Sequence, residues 1–160
     1  MNISVRLSTP VDMPHVLRLI KELAAFEKEP DAVTITEDTL INEGFGKNPL
    51  FTCFVAEVKE GIVGMALVYD RFSTWKGRSV HLEDLVVNEK MRGTGVGKAL
   101  YTKVIKYAAE RNVKRLEWVV LDWNKNAIDF YEKSGAVLLK DWYLVQMDEK
   151  GIKNYMATLK

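Results

Sequence analysis

The chain has 160 residues, enough for one domain with a buried core, and its 48% hydrophobic and 28% charged residues describe a folded chain rather than a disordered one. A formal net charge of +1 provides no overall field favouring nucleic acid or an anionic membrane, so any anion site has to be local. A single cysteine, Cys53, excludes an intrachain disulfide and a cysteine-rich zinc site, and His15 and His81 are far apart, so no metal is expected. Met1 to Pro10 has no apolar leader core, and no apolar run approaches the ~20 residues of a membrane span. A cytoplasmic domain is expected.

Ile3, Val5 and Leu7 alternate with polar residues and predict a short strand. Asp12-Met13-Pro14 has the form of a helix start, and Val16, Leu19, Ile20 and Leu23 follow at helical spacing until Pro30. Thr34-Ile35-Thr36-Glu37 resembles a capping box, which places a second short helix before Gly44. Phe51 to Val58 and Ile62 to Phe72 read as strands of one hairpin across Lys59-Glu60-Gly61, and Ser79 to Val87 as a third strand. After the glycine-rich stretch Arg92 to Gly97, Leu100, Val104 and Ala108 mark a helix. Leu116 to Leu121 predicts a strand, and Asn126 to Ser134 a short helix closed by Gly135. Val137 to Leu139 and Tyr143 to Met147 suggest two closing strands. The order is that of an α+β fold, an antiparallel meander followed by a strand–helix–strand unit, in a single domain over residues 1–160.

The turn Arg92-Gly93-Thr94-Gly95-Val96-Gly97 stands between a strand and a helix. Alternating glycines let backbone amides crowd an anion, and the helix N-terminus adds free N–H groups. Arg92 and Lys98 add charge, so a phosphate-bearing ligand follows. A triphosphate loop would need glycine at Arg92 and Ser or Thr at Ala99, and a dinucleotide turn would need glycine at Lys98.

Arg92 to Gly97 resembles the pyrophosphate signature of the GNAT superfamily, and Asn124, Ala127, Tyr131 and Gly135 resemble its later block. Leu17 to Ala24, Gly44-Phe45-Gly46, Ser73 to Arg78, Leu82-Glu83-Asp84 and Val120 to Asn124 narrow the resemblance to the diamine acetyltransferase family, nearest its thialysine N-acetyltransferase branch. The resemblance implies a GNAT fold, a mixed, mostly antiparallel sheet with a splayed central strand pair and flanking helices. It implies acetyl-CoA as cosubstrate, held by Arg92, Gly93, Thr94, Gly95, Val96, Gly97 and Lys98, with Asn124, Asn126 and Ala127 contributing. Backbone groups of Leu85, Val86 and Val87 would pair with pantetheine and meet the oxyanion.

An amine attacks a thioester only when neutral, and a lysine-like amine offers on the order of one ready molecule in a thousand at neutral pH, a handicap of roughly 4 kcal/mol. By resemblance, Glu83 receives the amine proton, directly or through water, and Tyr131 protonates the leaving thiolate. Glu83 and Asp84 point to opposite faces of a regular strand, an expectation that a bulge would alter. Phe26, Glu27, Asp84 and Trp75 are further expected acceptor contacts.

Polyamine-acetylating members carry acidic residues where this chain has Ser73 and Lys140, which favours a zwitterion such as thialysine or lysine. Its carboxylate would need a cation, with Lys76, Arg78 and Lys140 as choices. A polyamine acceptor and a catalytically silent CoA-binding module are the alternatives. The expected partners are a small-molecule amine and a second copy of the chain, a homodimer, with neither nucleic acid nor membrane involved.

Overall fold

The computed structural model describes residues 1–159, which fall into two compact units meeting at Val119 and Val120. The first unit holds a five-stranded sheet in the order β1 (Ser4–Leu7), β2 (Thr52–Val58), β3 (Gly61–Ser73), β4 (Gly77–Val87) and β5 (Arg115–Glu117). The first four strands pair antiparallel and β5 joins β4 in parallel. Helices α1 (Met13–Phe26), α2 (Glu37–Phe45) and α3 (Val96–Glu110) complete this unit.

Both faces of the middle of the sheet are covered, so β2 and residues 62–68 of β3 are apolar almost without interruption instead of alternating. Cys53, Val55, Met65 and Leu67 pack against Met13, Val16, Leu19 and Leu40 of α1 and α2. Phe54, Ala56, Ala66 and Val68 point the other way, onto Val96, Leu100 and Val104 of α3. Gly64 lets α3 settle on β3, because a Cβ there would lie 2.9 Å from the Val86 carbonyl oxygen and 3.0 Å from Leu100 Cδ1. Outside the cores, the buried carboxylate of Asp12 accepts hydrogen bonds from Nη1 and Nη2 of Arg6 and from the Thr9 amide and hydroxyl, and these hold its pKa far below the usual range.

The second unit carries α4 (Lys125–Lys133) and α5 (Glu149–Ala157). Gly135, at φ +95°, follows α4, and its amide donates to the Glu132 carbonyl while the Ala136 amide donates to that of Tyr131. None of the helices among the described residues is long and apolar enough to cross a membrane.

Most expected elements form, with local differences. The capping pair of α2 is Thr36 and Thr39, two residues later than the box read from Thr34. The start of the first helix is split, since Pro10–Asp12 forms a 3-10 turn and spends Asp12 on Arg6. The strand expected from Leu116 to Leu121 contracts to β5. Val137 to Leu139 and Tyr143 to Met147 form no strand, and Tyr143 and Val145 are 91% and 87% exposed. Alternation supplies a strand face but no pairing partner, and strand preference is decided by the neighbour.

Candidate functional site

Strand β4 bulges at Glu83. Leu67 pairs with Asp84 while Val68 pairs with Leu82, leaving Glu83 as the extra residue. The bulge cancels the alternation expected of neighbouring residues. Glu83 accepts a 2.8 Å hydrogen bond from the hydroxyl of Tyr69, a residue packed on the α1 side, and the Asp84 carboxylate is felt by buried Cys53 on that same side. Both carboxylates therefore face α1, which corrects the expectation of opposite faces.

Glu27, just past the end of α1, completes the group. Burial pushes Asp84 up to about 6, and the charges of Glu83 and Glu27 push in the same direction. Partial enclosure raises Glu27 as well. Arg71 and Arg115 both spend their guanidiniums on Glu117 instead. Three acidic groups held together make a site that favours a cationic ligand.

The open edge of β4 adjoins this cluster. Pairing with β5 stops at His81 and Glu117, whereas pairing with β3 continues to Val87. From Leu82 onward, alternate backbone groups of β4, including some of Leu85, Val86 and Val87, thus face away from β3 with no strand opposite among the described residues. This is a splayed strand, open to a ligand that can pair like an added strand.

The glycine turn follows directly. Gly93 and Gly95 hold φ of +75° and +95°, and Gly95 is the residue capping α3. With no side chain to cap the helix, the amides of Val96, Gly97 and Lys98 keep free donors, since the first intrahelical bond is from the Ala99 amide to Gly95. Arg92 ties the turn down. Its Nε donates to the Val87 carbonyl at 3.3 Å, and its guanidinium lies 4.7 Å over the ring of Phe26. Thr94 donates its hydroxyl to the Met91 carbonyl at 2.6 Å. This cradle suits a pyrophosphate, with Lys98 exposed beside it.

In the second unit, Asn124 caps α4, its side-chain oxygen accepting from the Ala127 amide at 3.3 Å. Asn126 is exposed on the same helix, and Tyr131 is half-buried with its ring edge-on to Phe130. Trp75 sits elsewhere. It is 81% exposed at the tip of the β3–β4 hairpin, where Ser73 Oγ accepts from the Trp75 and Lys76 amides. Six residues of strand from Gly77 to Glu83 span about 20 Å, so Trp75, Lys76 and Arg78 do not join the carboxylate cluster within one chain.

Sequence reasoning missed the partners of Glu83. Besides Tyr69, His81 lies with Nε2 3.5 Å from Oε2 of Glu83. Tyr69 and Arg71 share a face by alternation, but their meeting with His81 depends on the β3–β4 register, which the sequence does not display.

A splayed strand, a glycine-lined anion cradle and an acidic pair at a bulge together suit acyl transfer from a phosphate-bearing carrier. Comparison with known proteins agrees. Residues 16–136 match the family model described as the acetyltransferase (GNAT) family, so the chain belongs to the GNAT acetyltransferases. It is 36% identical to a thialysine N-epsilon-acetyltransferase of Bos taurus over 94% of this chain and 95% of that one. It is 33% identical to a spermidine/spermine N(1)-acetyltransferase-like protein of Homo sapiens over 91% of this chain and 22% of that one. Among solved structures, an integron cassette protein from the mobile metagenome of V. cholerae superposes with a TM-score of 0.79 at 21% identity, covering 98% of each chain. The chain is an N-acetyltransferase.

Proposed function

We propose that this enzyme transfers acetyl from acetyl-CoA to the side-chain amine of a lysine-like amino acid, with thialysine as the preferred acceptor. The observation that carries the reading is the cluster of Glu27, Glu83 and Asp84, the two strand carboxylates turned to one face by the bulge. Its likeness to the bovine thialysine enzyme supports the choice of acceptor. Because the family match runs across the junction at Val119, we treat both units as parts of one catalytic domain.

Acetyl-CoA, when bound, supplies the activated acetyl group. The amides of Val96, Gly97 and Lys98 hold its phosphates, and Arg92 fixes the turn that presents them. Asp84 and Glu27 hold the incoming ammonium, and Glu83, the most exposed of the β4 pair, takes the proton that the amine must lose. The open edge of β4 from Leu85 to Val87 aligns the donor, and Tyr131 returns a proton to the leaving thiolate. The acceptor is a free small molecule, and the enzyme works in the cytoplasm as a homodimer. Exposed Val137, Trp142, Tyr143 and Val145 are the apolar surface that a second copy would cover.

Glu83→Gln removes the base and keeps the shape. It should lower kcat/KM for thialysine by about 10²-fold or more, with acetyl-CoA affinity unchanged, measured by steady-state kinetics and calorimetry. Full activity in this variant would refute the assignment of the proton acceptor.

A further inference from the structure

Tyr69, His81 and Glu117 form one row across three strands. Tyr69 stands opposite His81 in the β3–β4 register, and His81 stands opposite Glu117 in the β4–β5 register. Arg71, two residues beyond Tyr69, returns to the same face. Its Nη1 lies 3.2 Å from Nδ1 of His81 and 2.7 Å from Oε1 of Glu117. Arg115 Nε grips the other oxygen of Glu117 at 2.8 Å.

The chemistry of these atoms fixes a proton. A guanidinium has donors only, so Arg71 can meet Nδ1 of His81 only if that nitrogen offers its lone pair. The ring proton then sits on Nε2, the nitrogen 3.5 Å from Oε2 of Glu83. That same oxygen already accepts from Tyr69, whose ring lies 5.1 Å from the imidazole, centroid to centroid, at a tilt of 34°. Oε2 thus accepts the Tyr69 hydrogen bond and lies within ion-pair reach of the Nε2 proton, without a formed hydrogen bond to it. Oε1 of Glu83 has no partner among the described residues.

We propose that Arg71, clamped by Glu117, locks His81 as the Nε2–H tautomer, and that His81 is a positioning residue which, with Tyr69, holds Oε2 of Glu83 and leaves Oε1 for the acceptor amine. The inference rests on Glu83 being the group that takes the amine proton. The groups facing the imidazole are Tyr69 and Arg71 from β3, Glu83 from β4 and Glu117 from β5. Burial lowers the His81 pKa and Arg71 lowers it further, against the pull of Glu83 and Glu117. His81 is thereby neutral where the enzyme works. It orients Glu83 and does not relay its proton onward, because Arg71 behind it cannot accept one.

The direct test is two-bond ¹H–¹⁵N correlation on the wild-type enzyme with labelled histidine, in which only His15 and His81 contribute signals. At pH 7.5, His81 should be neutral with its proton on Nε2, and Arg71→Met should raise its titration point. In kinetics with thialysine, His81→Leu should lower kcat/KM by about tenfold, as expected of a misplaced base. His81→Gln, whose amide N–H reaches near the place of Nε2, should recover most of that loss. The acid limb of kcat/KM should move to higher pH in Arg71→Met, because a protonated His81 would compete with the ammonium for Glu83. A proton on Nδ1, or a charged His81 at pH 7.5, would overturn the inference, as would equal losses in folded Leu and Gln variants. Full activity in Glu83→Gln would overturn the role of Glu83 and with it that of His81. A wrong tautomer beside an inactive Glu83→Gln would overturn the inference about His81 alone.

Discussion

Asp84 is held at a cost to stability. Its carboxyl titrates near 3.8 when unperturbed and about 6 in the fold, chiefly through burial. The folded chain therefore binds this proton more tightly than the unfolded chain, and Asp84's contribution to stability falls as pH rises from about 4 to 6. Above that window the fold carries the full penalty. Asp84→Asn should be more stable than wild type by about 1–3 kcal/mol at pH 7.5 and indistinguishable at pH 3.5, measured by urea unfolding at both pH values. Equal stability at pH 7.5 would mean that Asp84 is not under strain. The same variant should bind the amine more weakly, because an ammonium beside Asp84 is what offsets the penalty in the working enzyme. Neighbouring acids at 83 and 84 were visible in the sequence. That both face α1 was not, because a bulge is a property of the pairing between strands and leaves no mark in the local pattern.

At the scale of elements, legibility followed how local the cause was. α1, α3 and α4 were predicted from helical spacing and a glycine stop, signals contained within each segment. α5 was missed because Gly151 sits in its first turn. Its start depends on Asp148, whose side chain accepts from the Gly151 amide at 2.7 Å, and on the i,i+4 pair of Glu149 and Lys153. The turn into α3 was the clearest element in the sequence, and its geometry is demanding. At φ +95°, valine in place of Gly95 would be strained by roughly 1–2 kcal/mol and would place branches beside the free amides. Gly95→Val should therefore lose measurable acetyl-CoA binding by calorimetry while circular dichroism still reports a folded chain. Unchanged affinity in that folded variant would move the phosphates to another place. The roles proposed for Tyr131 and Asn124 rest only on the family pattern, since an aromatic at helical spacing and an asparagine cap have ordinary structural uses.

At the scale of the whole molecule, the proposed choice of acceptor rests on charge. The net charge of +1 says nothing about the site, where Glu27, Glu83 and Asp84 form an anionic patch. One ammonium fits that patch. A longer polycation would need further acids, and within one chain Ser73, opposite Gly77 at the far end of the β3–β4 hairpin, stands outside the cluster, its hydroxyl accepting from the Trp75 and Lys76 amides. Each unmatched buried charge costs several kcal/mol, and every 1.4 kcal/mol is tenfold in specificity. The decisive measurement is kcat/KM of the purified enzyme with acetyl-CoA for thialysine and for spermidine, side by side at pH 7.5. Thialysine should be favoured by roughly tenfold or more. A preference for spermidine would contradict the charge argument and place the enzyme with those that acetylate polyamines.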